Sequence, residues 1–192
     1  SITSNLVVIG GGFTGCSAAL SAAKNGLSVT LIDKKIGYGG SGRNVGLVNA
    51  GLWMPPEKVE SILGLDAGVK LNKALATAPD LVFSLIDNYE INCSANRSGT
   101  LHCAHSKKGL KDIQLRFKQL SERGAELELF DRQQTQKRIG SSKFFGSLFN
   151  KKAGIINPLD YCLGLARAAK SYGVNIYEST IATNIHSVNN DW

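Results

Sequence analysis

The hydrophobic and polar pattern changes period several times along the chain. Leu6-Val7-Val8-Ile9 is a short continuous apolar run, the signature of a strand buried on both faces. Small, helix-permissive residues follow, Cys16 to Lys24, and Asn25-Gly26 stops them. Ser28 to Asp33 reads as a second buried strand with a carboxylate at its end. Strand, glycine turn, helix and strand together predict a βαβ unit with a short crossover.

From Ile36 to Gly51 glycines crowd the chain, and this stretch is expected to lack regular structure and to be a functional loop. Pro55-Pro56-Glu57 marks a helix start. A short helix over Glu57–Leu63 and a longer one from about Ala67 to Asn88 are expected beyond it. Two short strands, Ile91–Asn96 and Thr100–His105, are expected either side of Arg97-Ser98-Gly99. Leu110, Ile113, Phe117 and Leu120 recur at helical spacing and predict an amphipathic helix ending before Gly124. Glu126–Phe130 alternates as a strand does, and Asp131 can cap a helix over Arg132–Arg138. Phe144–Phe149 and Gly154–Ile156 read as extended, and Pro158 opens a helix through Ala169 that Tyr172-Gly173 closes. Val174–Tyr177 and Thr180–Val188 are the last expected strands. This α/β pattern stops soon after, with fewer parallel strands than such sheets usually hold, so the chain reads as unfinished.

Composition narrows this little. Of the 192 residues 43% are hydrophobic, and no apolar run reaches the about 18 residues a membrane helix needs. No secretory signal is legible at the start, and an initiator Met is absent. The net charge of +7 invites a nucleic-acid reading. However, Lys107, Lys108, Lys111, Arg116, Lys118 and Arg123 fall on one amphipathic segment, the pattern of a solvated face, and the field would equally suit a ligand carrying phosphates. The cysteines, Cys16, Cys93, Cys103 and Cys162, are scattered without a C-x-x-C pair and are expected to be reduced thiols in a cytoplasmic protein. Asn92-Cys93-Ser94 and Asn96-Arg97-Ser98 fit the glycosylation pattern but carry little weight without a secretory signal.

The chemistry concentrates at Gly10-x-Gly12-x-x-Gly15, between the first strand and the first helix. A pyrophosphate needs backbone amides close to it. Gly10 permits a tight turn, Gly12 lets phosphates approach, and Gly15 lets helix and strand pack closely. Asp33, at the end of the second strand, can accept bonds from ribose hydroxyls and would repel a 2′-phosphate. A glycine turn used only for packing would not explain that acid, so a dinucleotide is expected. The fingerprint does not separate FAD from NAD. The loop Gly39-Gly40-Ser41-Gly42-Arg43-Asn44-Val45-Gly46 offers a hydroxyl, a guanidinium and an amide to wrap the rest of an extended cofactor.

Three segments, Val8-Ile9-Gly10-Gly11-Gly12-Phe13-Thr14-Gly15, Leu31-Ile32-Asp33 and Ser41-Gly42-Arg43-Asn44, resemble the D-amino-acid-oxidase-like family of FAD-dependent oxidoreductases. The likeness is to its glycine oxidase, sarcosine oxidase and γ-glutamylputrescine oxidase branch. Gly154-Ile155-Ile156-Asn157-Pro158-Leu159-Asp160 and the helix and strand after it agree. The resemblance implies a Rossmann-like FAD-binding βαβ core over 1–50 and 153–192, an inserted α+β substrate domain starting over 51–152, and a missing C-terminal part. It places cofactor contacts at Gly10, Gly12, Phe13, Thr14 and Gly15 for the pyrophosphate and at Asp33 and Lys34 beside the ribose. Ser41, Gly42, Arg43 and Asn44 would lie along the pyrophosphate and ribityl chain, and a backbone group near Ala182 would meet adenine. Asp33 stands where the family more usually has Glu, and Val45 where relatives often have Gly.

The implied activity is hydride transfer from an amine-bearing carbon to the flavin, with oxygen or another acceptor reoxidising it. The substrate would be a small amine or amino acid. Residues that bind substrate carboxylates and help oxygen react lie further along in relatives, so no catalytic residue is assigned and the chain alone is expected to be inactive. Competing readings are a dehydrogenase passing electrons to a quinone or electron-transfer protein, an inactive nucleotide-binding module, and an RNA-modifying relative. His102-Cys103-x-His105 is not taken as a metal site, because neighbours on a strand face opposite ways. His102 is kept as a candidate pocket residue. Ser41 lacks a His–Asp partnership for a hydrolase triad, and Tyr38 and Trp53 are read as packing residues.

Overall fold

The structure, a computed structural model, describes residues 2–187 and is mixed α/β. Two compact units share the chain. One takes the described residues up to Gly46, Leu85–Ser94 and those from Ile156 onward; the other takes Leu47–Ser84 and Ala95–Ile155.

The first unit is built on three parallel strands, β1 (Leu6–Ile9), β2 (Val29–Ile32) and β8 (Asn175–Tyr177), in the order β1-β2-β8. Leu6 pairs with Val29 and Ile9 with Ile32, while Thr30 pairs with Asn175 and Ile32 with Tyr177. β2 is central, so its first three residues are all buried. Helices α1 (Phe13–Lys24) and α7 (Pro158–Ser171) pack on one another. Their alanine-rich faces allow this: Cys16, Ala19, Cys162 and Ala169 are all fully buried there. Gly164 is needed where α7 meets Ile91, because a Cβ there would stand 2.2 Å from the Ile91 side chain. Asn157 caps α7 by accepting from the amides of Leu159 and Asp160, and Pro158 sits in the first turn, where its missing N–H costs nothing.

The second unit centres on an antiparallel sheet in the order β4 (Thr100–Cys103), β6 (Ser147–Asn150), β5 (Leu127–Phe130). Helix α5 (Lys107–Ser121) closes the core with Ile113 against Ala104 and Leu148. A two-stranded ladder pairs β3 (Leu47–Val48) with β7 (Gly154–Ile155). Helices α2 (Pro56–Leu63) and α3 (Leu65–Ala76) pack together, and α4 (Ala78–Asn88) begins here. Helix α6 (Arg132–Ile139) opens with a reciprocal capping box between Asp131 and Gln134.

Four expectations need correction. The long helix expected over Ala67–Asn88 is two helices broken at Thr77, because Pro79 has no N–H to donate back along the helix and its ring crowds the preceding turn. Ile91–Asn96 is not a strand. Glu90 and Ser94 take φ of 48° and 51°, which bends the chain out of extended geometry, and only Asn96 forms an isolated bridge, to Ile155. Thr180–Val188 is irregular over its described residues, 180–187, since Ser179 at φ 53° ends the extended run; Val188 lies outside the described residues. The glycine-rich loop is not wholly irregular, holding a 3-10 turn at Ser41–Arg43 and β3.

Thr135 and Ser147, both fully buried, share a hydroxyl–hydroxyl bond of 2.9 Å between α6 and β6. Thr135→Val keeps the shape but strands the Ser147 hydroxyl, and should cost about 1–3 kcal/mol in urea denaturation. Adding Ser147→Ala should recover most of that loss.

Candidate functional site

The turn from β1 into α1 is held from three other segments of its unit. The Gly10 amide donates to the Ile32 carbonyl at 2.9 Å, and the Gly11 amide to Asp33 Oδ2 at 2.5 Å. The Gly11 carbonyl accepts from the Gly37 amide at 3.0 Å and from the Cys162 thiol at 3.3 Å. The Phe13 amide donates to Ser41 Oγ at 3.0 Å. Five bonds of the β1–α1 turn therefore come from β2 and its end, the glycine loop and α7.

The glycines divide the work. Gly10 has φ +106°, which any other residue takes only with strain, yet its missing side chain would meet nothing. Gly15 has the opposite problem: a Cβ there would lie 1.8 Å from the Gly10 carbonyl oxygen. A Cβ on Gly12 would meet Ser41 Oγ at 2.7 Å, so the space there holds the serine hydroxyl. Gly11 was not singled out from sequence, yet its Cβ would collide with Ile36 at 2.1 Å.

Gly12 is the N-cap of α1, and its position supplies no side-chain cap. Ser41 stands in by taking the Phe13 amide, leaving the amides around Gly12, Thr14 and Gly15 at a helix N-terminus, where backbone donors and the helix dipole favour an anion. The Phe13 ring packs edge-on against Tyr161 at 5.3 Å. Burial pushes the Tyr161 phenol up to about 12, so it stays neutral. Cys16, beneath the turn, has its thiol pushed up by a hydrogen bond with Cys162 and by burial.

Asp33 stands at the rim of a cleft of about 630 Å3 bordered by Lys34, Lys35, Tyr38, Gly39, Ser179 and Ile181. Its Oδ1 accepts from the Lys35 amide at 3.2 Å. Tyr38, expected as a packing residue, is about half exposed, with the Lys35 ammonium 3.6 Å above its ring. Glu178 Oε1 accepts the Ile36 amide at 2.9 Å and ties the exit of β8 to the loop. Ala182 is exposed in the irregular stretch after β8, not late in a strand.

The loop residues have separate roles. Gly42 is required because a Cβ would stand 1.9 Å from the Gly37 carbonyl oxygen. Asn44 is occupied within the loop: its Nδ2 donates to the Ser41 carbonyl at 2.6 Å and its Oδ1 accepts the Gly46 amide at 2.7 Å. Arg43 donates through Nε to the Gly39 carbonyl at 3.3 Å, and its side chain is otherwise exposed. In the second unit Trp53, also read as packing, is 70% exposed. Among the described residues no group of three or more His, Cys, Asp or Glu could hold a metal, and no helix is long and apolar enough to cross a membrane.

The turn suits the adenosine-diphosphate part of FAD: donors without a carboxylate at the helix end, glycines where side chains would block the turn, and an acid at a cleft beside them. A family model described as FAD dependent oxidoreductase (DAO) matches residues 5–192. The chain is 30% identical over 187 residues to γ-glutamylputrescine oxidoreductase of Escherichia coli K12, covering 96% of this chain and 44% of that protein. A glycine oxidase from Geobacillus kaustophilus shares the fold with a TM-score of 0.74 at 20% identity, over 92% of this chain and 46% of that one. The L-α-glycerophosphate oxidase from Mycoplasma pneumoniae, solved with FAD bound, gives a TM-score of 0.74 at 20% identity over 96% of this chain and 47% of that one. This chain thus spans a little under half the length of these proteins.

Gly15→Ala should destabilise the first unit by about 1–3 kcal/mol in urea denaturation, because the added methyl must push helix and strand apart. Gly39→Ala, whose Cβ would meet nothing within 4 Å, should stay within about 0.5 kcal/mol of the parent.

Proposed function

This chain belongs to the DAO family of FAD-dependent oxidoreductases, and on that premise we propose that it supplies the adenosine-diphosphate end of the FAD site in an enzyme that oxidises an amine or amino acid. The observation that carries the reading is the Gly10–Gly15 turn, locked to Asp33 and Ser41 with α1 amides at its mouth.

Residues 1–50 and 153–192 are proposed as the FAD-binding part and 51–152 as the start of the substrate-binding part. Amides around Gly12, Thr14 and Gly15 donate to the pyrophosphate, and Phe13 closes the helix end over Tyr161. Asp33 accepts from the ribose hydroxyls with the lone pairs its two backbone bonds leave free. Lys34 borders the same cleft, and Ala182 is proposed near adenine. Ser41 holds the helix end, Gly42 lets the loop fold against Gly37, and Asn44 keeps its turn. Arg43 brings a positive charge to the loop where phosphates would sit. When bound, FAD supplies the redox step, accepting a hydride from the carbon that bears the amine. The likeness to γ-glutamylputrescine oxidoreductase supports a nitrogen-bearing substrate. Oxygen or another electron acceptor is proposed to reoxidise the flavin.

Incubation with FAD followed by desalting should leave flavin absorbance on the chain. Asp33→Ala should weaken retention about tenfold or more, through lost charge-assisted bonds to ribose and a loosened Gly11. Turnover is measured on the full reading frame, with imine or carbonyl product from an amine as the expected result. Failure of both this chain and the protein of the full reading frame to retain flavin would overturn the reading.

A further inference from the structure

The second unit contains a cleft of about 400 Å3 bordered wholly by its own residues. Its floor is apolar: Ala104 and Ile113 belong to the buried core of the unit. One wall is the exposed Trp53 indole, set edge-on to the His102 imidazole with ring centroids 5.0 Å apart. The Arg116 guanidinium lies 5.9 Å from the centre of the same indole. Such a volume fits a small organic molecule, and an indole beside an apolar floor favours a flat apolar body.

The electrostatics are one-sided. Arg116 is partly buried, and its Nη1 donates to the neutral Leu52 carbonyl at 2.8 Å. Among the described residues it has no carboxylate within ion-pair distance. Burial lowers its pKa. His102 is likewise lowered, first by burial and then by the charges of Arg116 and His105, which keeps it neutral near pH 7. Asp112 is the acidic side chain on the rim, one turn before Arg116 on α5, and it forms no ion pair with it. A half-buried guanidinium with free N–H groups is a fork for a carboxylate. With one such cation, and Asp112 at the rim, a singly charged ligand is favoured over a phosphate.

We propose that this cleft binds a small monocarboxylate with a flat apolar or aromatic body, its carboxylate on Arg116 and its body against Trp53 and Ile113. The site is made by the second unit alone and stands whether or not the first unit holds FAD.

The test uses the full chain carrying Trp192→Phe, which leaves Trp53 as its single tryptophan. Phenylacetate is titrated against Trp53 fluorescence, beside the neutral 2-phenylethanol and the cationic phenethylamine. Phenylacetate should saturate with a Kd on the order of 1 mM, the range for so small a ligand. The other two should bind at least about tenfold more weakly. Arg116→Gln should weaken phenylacetate about tenfold, and Asp112→Asn, which leaves the Arg116–Leu52 bond intact, should tighten it about two- to threefold. No saturable change with phenylacetate up to about 20 mM would overturn the proposal, as would 2-phenylethanol or inorganic phosphate binding equally well. If Arg116→Gln unfolds, judged by circular dichroism, Asp112→Asn decides: unchanged or weaker binding rejects the site.

Discussion

Gly11 is the residue on which the first unit depends. Its neighbours leave no slack: Asp33 takes the Gly11 amide, and Gly37 and Cys162 share the Gly11 carbonyl. A residue held through both its amide and its carbonyl fixes where α1 begins, and thus where its N-terminal amides point. The same bonds join the end of β2, the glycine loop and the buried face of α7. Disturbing any one of them moves the helix end that would meet the pyrophosphate. The required glycines follow from this. Gly10 turns the chain, Gly15 lets it pass under its own carbonyl, and Gly42 lets the loop reach Gly37.

Much of this was legible along the chain. Apolar runs at Leu6–Ile9 and Val29–Ile32 gave the paired strands, and the capping Asp131 and the helix-opening Pro158 gave helix starts. These signals are local, so a local reading finds them. The strands it misplaced were decided by backbone twists at Glu90, Ser94 and Ser179, none of them a glycine that would have announced a left-handed turn. The expectation of one long helix over Ala67–Asn88 gave too little weight to Pro79. Within the site, Gly10, Gly15 and Asp33 stood out by spacing. Gly11, Cys162 and Glu178 did not, because each acts through a partner far along the chain. Ser41 was legible as a loop hydroxyl but not as the surrogate cap of a helix twenty-eight residues earlier.

Family membership and the fold agree on a flavoprotein, and each unit has a distinct chemical character. The first offers backbone donors and a fixed carboxylate, which suit a nucleotide. The second offers an indole, a neutral imidazole and a guanidinium that has no ion-pair partner among the described residues, which suit a small anion. The chain spans 44% of γ-glutamylputrescine oxidoreductase.

The most direct test of the central claim is a titration of the isotopically labelled chain with ADP, followed through backbone amide chemical shifts. ADP carries the adenosine and pyrophosphate without the flavin. The account predicts saturable shifts concentrated at Gly10 to Gly15 and at Asp33 to Lys35, largest for the amides of Gly12 and Thr14. Shifts confined to residues 47–84 or 95–155, or no saturable shift at the Gly10–Gly15 turn, would contradict it.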